Sequence, residues 1–342
     1  NIIIVTTKEK WPQNISFINT ANNFTTVSFI IIVTYATFYR KRFQQYFKEL
    51  PSDTLLIADE THNIGSEQIS KVLPTVHLEK RLGLSATPDR PFDHYGNSII
   101  EEFFNDKPPF IFSYTMEEAM ARGWLCKYEY YPHIVKLTKQ ELEQYRKLSK
   151  DLMRFFDLAT RSYEKCTEVE ILLLRRKRII HKAFNKLGAF KKILLDEFKK
   201  RNGTLSYTLI YVPEGIEANY DDTDNYVENN EDISLIDLYT KEVRDVDPSI
   251  TVSQFTANTN NKSKLIENFQ NGDTHVLTSM KCLDEGVDVP RSELAIFCAS
   301  TGNPRQFIQR RGRVLRTHDD KQKAVIHDLV VVPDRGLSLI HI

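Results

Sequence analysis

Short apolar runs recur along this chain, and each stops abruptly at polar residues. "NIIIV" (from Asn1), "FIIIVTY" (from Phe29), "TLLIADE" (from Thr54) and "RLGLSAT" (from Arg81) are separated by longer stretches of helical character. Unbroken apolar runs of about four to six residues read as parallel strands buried on both faces, because helices cover both sides of such a sheet. Their alternation with helices predicts an α/β doubly wound fold. The pattern resumes at "YTLIYVP" (from Tyr207) and continues through "ITVSQF", "THVLTS", "LAIFCAS" and "KAVIHDLV". A chain of 342 residues has room for about two domains, and two α/β halves are expected.

The middle differs from both halves. Thr115–Gly123 reads as a short helix, and "EYYPHIVKL" (from Glu129) as a strand. Thr138 and Glu141 have capping-box spacing and open a helical region that runs to about Arg201. Within it, Arg175–Arg201 carries eleven Lys/Arg against Asp196 and Glu197. Further on, Glu214–Asp232 holds eight acidic residues and no basic one, and Tyr220–Asp232 reads as a mobile, solvated insertion. A helix is expected near Ile233–Val243. The expected organisation is therefore 1–113, a first α/β domain; 114–201, a helical and basic connecting region; and 202–336, a second α/β domain. The last six residues, "LSLIHI" (337–342), match the translation of a sequencing-library adapter and are set aside.

Lys+Arg and Asp+Glu both number 46, so no global field draws a polyanion to this chain; any nucleic-acid contact must come from local clusters. Cys126, Cys166, Cys282 and Cys298 include no C-x-x-C pair, which argues against a zinc ribbon or a disulfide framework. A reduced, cytoplasmic protein is expected. The most apolar run, "FIIIV", is too short to span a bilayer, and no signal peptide is evident.

The candidate chemistry begins at "LLIADETHNIG". Ligands bind parallel α/β sheets at the carboxyl ends of strands, and Asp59-Glu60 stands at such an end. An Asp there can hold Mg²⁺, and the adjacent Glu can orient or deprotonate a water. The next strand ends in Ser85-Ala86-Thr87, whose hydroxyls can bond to a neighbouring carboxylate turn. In the second half, "VLTSMKCLDEGVDVP" places Gly286 and Asp288 after a strand, and "QFIQRRGRVLR" places Arg310, Arg313 and Arg316 three apart. On a helix that spacing puts all three on one face. Such a row is either a solvated face or a clamp for phosphoryl oxygens.

Taken in order, these segments resemble the motifs of superfamily 2 helicases and translocases of the DExH type. "DETH" resembles motif II, "SAT" motif III, "LIYVPEG" motif IV, "LDEGVDVP" motif V and "QRRGRVLR" motif VI. The forms "ATPDR", "DEGVDVP" and "QRRGRVLR" are closer to bacterial DNA repair and restriction-type enzymes than to the RNA DEAD-box group. The resemblance implies two RecA-like domains, with ATP and Mg²⁺ between them and DNA, rather than RNA, as the track. It implies Mg²⁺ at Asp59, water activation at Glu60, and coupling from His62 to Gln309. Ser85, Ala86 and Thr87 would link hydrolysis to movement. Gly286, Asp288 and Arg310 would approach the nucleotide, and Arg313 and Arg316 would act as arginine fingers. Thr34 and Thr278 would touch the nucleic-acid backbone. Arg175, Arg176 and Arg178 either add to the track or form a solvated helix face.

One motif departs from the family pattern. A phosphate-binding loop needs Gly-Lys-Ser/Thr, and none of the twelve glycines precedes a lysine. The loop is expected upstream of Asn1, and the chain by itself is then expected not to turn over ATP. A non-hydrolysing scaffold and the motor subunit of a restriction complex are the rival expectations.

Overall fold

Each apolar run named above becomes a strand in the computed structural model, but the strands are not buried alike. The structure describes residues 3–6, 11–22, 24, 27–90, 93–157, 162–164, 166–213, 235–256, 258–280, 289–299 and 304–333. It divides into two units, Asn1–Ser113 and Tyr114–Ile342.

The first unit runs β1 (Ile3–Thr6), α1 (Trp11–Asn22), β2 (Phe29–Ile32), α2 (Tyr35–Phe38), α3 (Lys41–Phe47), β3 (Leu56–Asp59), α4 (Glu67–Ser70), β4 (Arg81–Leu84) and α5 (His94–Phe104). β1 pairs with β2 and β3 with β4, both parallel, as two separate two-stranded sheets. Its core joins Val5 and Ala58 to Ile15, Ile18, Phe43, Phe47, Ile100 and Phe103 from the helices. The alternate strand residues Ile4, Ile30, Ile32, Ile57, Leu82 and Leu84 are exposed. The expectation of strands buried on both faces is therefore corrected here. Among the described residues, packing covers alternate positions of β1 to β3 and leaves the others bare, and β4 is exposed at Leu82, Gly83 and Leu84.

The second unit runs α6 (Met116–Ala121), β5 (Lys127–Lys136), α7 (Lys139–Leu152), β6 (Phe156–Asp157), β7 (Ser162–Tyr163), α8 (Thr167–His181), α9 (Asn185–Lys200), β8 (Thr208–Tyr211), α10 (Leu235–Arg244), β9 (Val252–Phe255), α11 (Lys262–Asn271), β10 (Val276–Ser279), β11 (Leu294–Phe297), α12 (Pro304–Val314) and β12 (Lys323–Val332). Six strands form one all-parallel sheet in the order β5-β12-β11-β8-β10-β9. β8, β10 and β11 are buried at every position, as expected of a sheet covered on both faces.

Capping boxes start α6, at Thr115 and Glu118, and α7, at Thr138 and Glu141. The Glu141 carboxylate also accepts from the Phe184 backbone N–H at 2.9 Å, which pins the turn between α8 and α9. The helical stretch expected up to Arg201 is thus three helices, interrupted by the small β6–β7 hairpin and by this turn. The region 114–201 contributes β5 to the sheet of the second unit, on the far side of β12. No helix among the described residues is long and apolar enough to cross a membrane. The acidic insertion Tyr220–Asp232 and residues 337–342 lie outside the described residues.

Candidate active site

In the first unit the site is built at the carboxyl ends of β3 and β4. Asp59 ends β3 and is exposed. Glu60 adopts a left-handed backbone, φ 49° and ψ 56°, which is uncommon for a residue with a Cβ. Local bonds hold it there. Its N–H donates to Asp59 Oδ1 at 2.9 Å, and its carbonyl accepts from the Asn63 N–H at 2.9 Å and from Asn63 Nδ2 at 3.1 Å. His62 lies in the turn that follows, with its Nδ1 3.4 Å from Glu60 Oε2 and its side chain 11% exposed. Tyr35 Oη donates to the Asp59 carbonyl at 2.6 Å. Burial, and then the charges of Asp59 and Glu60, push the Tyr35 phenol up to about 12, so it remains a donor at neutral pH.

The tie between the two strand ends comes from a residue that sequence reasoning passed over. The Thr61 hydroxyl is shared between the carbonyls of Ala58, at 3.1 Å, and Leu84, at 2.9 Å. The Ser85 hydroxyl was expected to bond toward the carboxylate turn; it accepts instead from the Thr87 N–H at 3.1 Å. Gly83 makes room for the tie, since a Cβ there would lie 2.9 Å from Thr61 Oγ1. Arg90 also escaped notice, although "ATPDR" contains it. Its guanidinium donates to the His62 carbonyl at 2.8 Å and to Asp93 Oδ2 at 2.7 Å. The only signal for Thr61 and Arg90 was their presence inside the quoted motifs. Thr34 is exposed just beyond β2, at the start of α2, with its hydroxyl 3.2 Å from that of Thr37.

In the second unit Gln309 and Arg313 stand four apart on α12, on one face and half-buried. The other two arginines of the row depart from expectation. Arg310 is only 4% exposed; it donates to the Ala299 carbonyl at 3.0 Å and lies over the Tyr211 ring at 5.0 Å. This makes it an anchor of the helix. Arg316 is not on the helix, which ends at Val314; it forms a β-bridge with Leu125. The expected single face of three arginines is therefore corrected: one points inward and one lies past the helix end. The buried Lys321 ammonium caps that end, accepted by the carbonyls of Val314, of Arg316 at 2.9 Å and of Pro290 at 3.2 Å. Thr278 is fully buried in β10, with its hydroxyl 2.8 Å from that of Thr240. Arg175 and Arg178 are exposed on α8, whereas Arg176 is half-buried over the Tyr145 ring at 5.8 Å. Gly286 and Asp288 lie outside the described residues.

Asp59 and Glu60 are hard oxygen donors of the kind Mg²⁺ prefers. Mg²⁺ takes one or two carboxylates and keeps water or phosphate oxygens for the rest, so the pair fits it. Among the described residues there is no group of three or more His, Cys, Asp or Glu that could hold a metal ion.

Two family models match the chain, "Helicase conserved C-terminal domain" over residues 218–318 and "Type III restriction enzyme, res subunit" over residues 4–90. A DNA 3'-5' translocase, XPB2 of Sulfurisphaera tokodaii, is 28% identical over 318 residues, covering 88% of this chain and 63% of that protein. These matches support a superfamily 2 helicase. Among solved structures, the ATP-dependent Type ISP restriction-modification enzyme LlaBIII bound to DNA aligns with a TM-score of 0.54 at 14% identity. That alignment covers 99% of this chain and 23% of the enzyme, and the likeness is one of fold. The fold is mixed α/β with a large parallel sheet flanked by helices, that of the RecA-like helicases. The chain spans less than two thirds of the translocase it matches.

Proposed function

We propose that this chain is part of an ATP-driven DNA helicase or translocase of the repair or restriction type. The observation that carries this is the Asp59–Glu60 pair at the carboxyl end of β3, with Glu60 held in a left-handed backbone by its own neighbours. Such backbone strain tends to persist where the site uses it. Asp59 would hold Mg²⁺, which supplies neutralising charge at the phosphates when bound. Glu60 would orient the attacking water and take its proton. His62, beside Glu60, would pass the state of the site on toward Gln309. Ser85, Ala86 and Thr87 would follow the same event through the Thr61 tie. Arg313 and Arg316 would meet charge building on the transferred phosphoryl group, and Arg310 would hold α12 in place. Gly286 would lie close to the phosphates and Asp288 at the ribose. Thr34, Arg175 and Arg178 are proposed contacts to the DNA backbone.

We place the phosphate-binding loop outside this sequence. No Gly-Lys pair occurs in it, and 37% of the translocase it matches has no counterpart here. The bare apolar positions of β1 to β4 also suit a further covering layer. DNA is preferred to RNA because the matched relative is named a DNA translocase. A second reading, the motor subunit of a restriction complex, is favoured by the match of residues 4–90 to a restriction-enzyme family.

The test is ATP turnover by the longer protein with duplex DNA, with RNA and with neither. DNA should stimulate it, and Glu60→Gln should lower it on the order of 10²–10⁴-fold while nucleotide still binds. Stimulation by RNA alone would overturn the choice of track. Nucleic-acid binding without any turnover would favour a scaffold.

A further inference from the structure

Among the described side chains of α12, Arg311 is an arginine that the proposed chemistry leaves unused. Arg311 turns back into its own unit. Its guanidinium donates to Tyr128 Oη at 3.3 Å and to Met116 Sδ at 3.0 Å. It lies 5.7 Å from the centre of the Tyr128 ring and 5.2 Å from that of Phe307. Tyr128 is on β5, and Met116 opens α6. The same stretch of chain holds the far end of the helix: Leu125 bridges to Arg316, and the Cys126 N–H donates to the Leu315 carbonyl at 2.8 Å. A third contact sets Tyr130 edge-on to Phe307 at 5.8 Å. Residues 116–130 therefore grip α12 along its length and just past its end.

Two features suggest more than packing. Neither Tyr128 nor Met116 is a carboxylate, so the Arg311 contacts are weak and can be remade at small cost. The gripping stretch also begins directly after the boundary between the two units, at Ser113 and Tyr114. α6, the first element after that boundary, meets α12 through Met116.

We propose that Arg311 and Tyr128 are positioning residues, through which the segment Met116–Tyr130 sets where Arg313 and Arg316 stand. The proposal rests on the reading that these two arginines act on ATP. The test uses the longer protein with Arg311→Ala, Tyr128→Ala, the double variant, Arg311→Lys and Arg313→Ala. Turnover, KM for ATP and melting temperature are measured on each. Misplacing a reacting group by about 1 Å can cost on the order of a hundredfold. Each single alanine variant should lower kcat by about tenfold or more, with KM and melting temperature near those of the parent. The double variant should be no slower than the slower single, because both remove one contact. Unchanged kcat in both singles, or a loss that tracks a lower melting temperature, overturns the proposal. If the alanine variants do not fold, Arg311→Lys decides. A lysine cannot reach both partners at once, so its kcat should fall, and parental kcat overturns the proposal. Loss of turnover in Arg313→Ala alone rejects this proposal and keeps the functional reading. Parental turnover in Arg313→Ala rejects both this proposal and the reading that Arg313 acts on ATP.

Discussion

Leu209 and Ile57 occupy similar places in the two units, each in a short parallel strand and each read from sequence as core. Leu209, in β8, is fully buried, and so are its strand neighbours. Ile57, in β3, is 56% exposed, while Ala58 beside it is 5% exposed. The second unit closes six strands under helices on both faces, whereas the first presents two strand pairs covered on one. An apolar run thus says that a strand has something to bury, but not how many of its faces find a partner. The candidate sites differ in the same way. The first unit aims its carboxylates by backbone conformation at strand ends; the second aims its arginines by how a helix is anchored.

The largest test of that contrast is chemical. Arg313→Ala in the longer protein should reduce DNA-stimulated turnover on the order of 10³–10⁵-fold, with nucleotide affinity falling far less. Parental turnover would remove the second unit from the chemistry and leave the first to stand alone.

Stability should separate the units next. Leu209→Ala should destabilise the second unit by about 2–5 kcal/mol, since a cavity opens under a fully covered strand. Ile57→Ala should stay within about 0.5 kcal/mol. Denaturant unfolding of the chain measures both. A large loss at Ile57 would mean that the bare face is covered in solution.

A pH effect should belong to the second unit. Glu197 on α9 is held at about 2, below the ordinary 4.5, first by the His327 imidazole, 3.4 Å away on β12, and also by Lys200. A carboxylate depressed in the folded state stabilises the fold above its unfolded value. That contribution is lost as the pH falls from about 4.5 toward about 2. Glu197→Gln should flatten this part of the stability profile, and an unchanged profile would show that these contacts do not persist.

The smallest effect concerns α8. Arg175→Glu and Arg178→Glu should each lower the salt dependence of DNA affinity by a slope of about one if they contact phosphates. Arg176, seated on Tyr145, should change it less. An unchanged slope for all three would identify a solvated helix face.

Several elements were legible before any coordinates. The capping box at Thr138, the short helix after Thr115, the strands from "NIIIV" to "KAVIHDLV", and the placing of Asp59 and Glu60 at a strand tip are all coded within a few residues. The surroundings of Thr278, Arg310 and Arg316 were not legible for a common reason. Each is decided by a partner far along the chain: Thr240 for Thr278, the Tyr211 ring for Arg310 and Leu125 for Arg316.

Sequence alone determined the strand–helix alternation, the helix starts and the order of the motifs, because periodicity, capping and turn chemistry act between residues close in the chain. Tertiary structure decided which faces of those elements are covered. It turned Arg310 inward, ended α12 before Arg316, and made Thr61 the tie between β3 and β4. Burial and hydrogen bonding depend on what arrives from elsewhere in the chain, and no local spacing records that arrival.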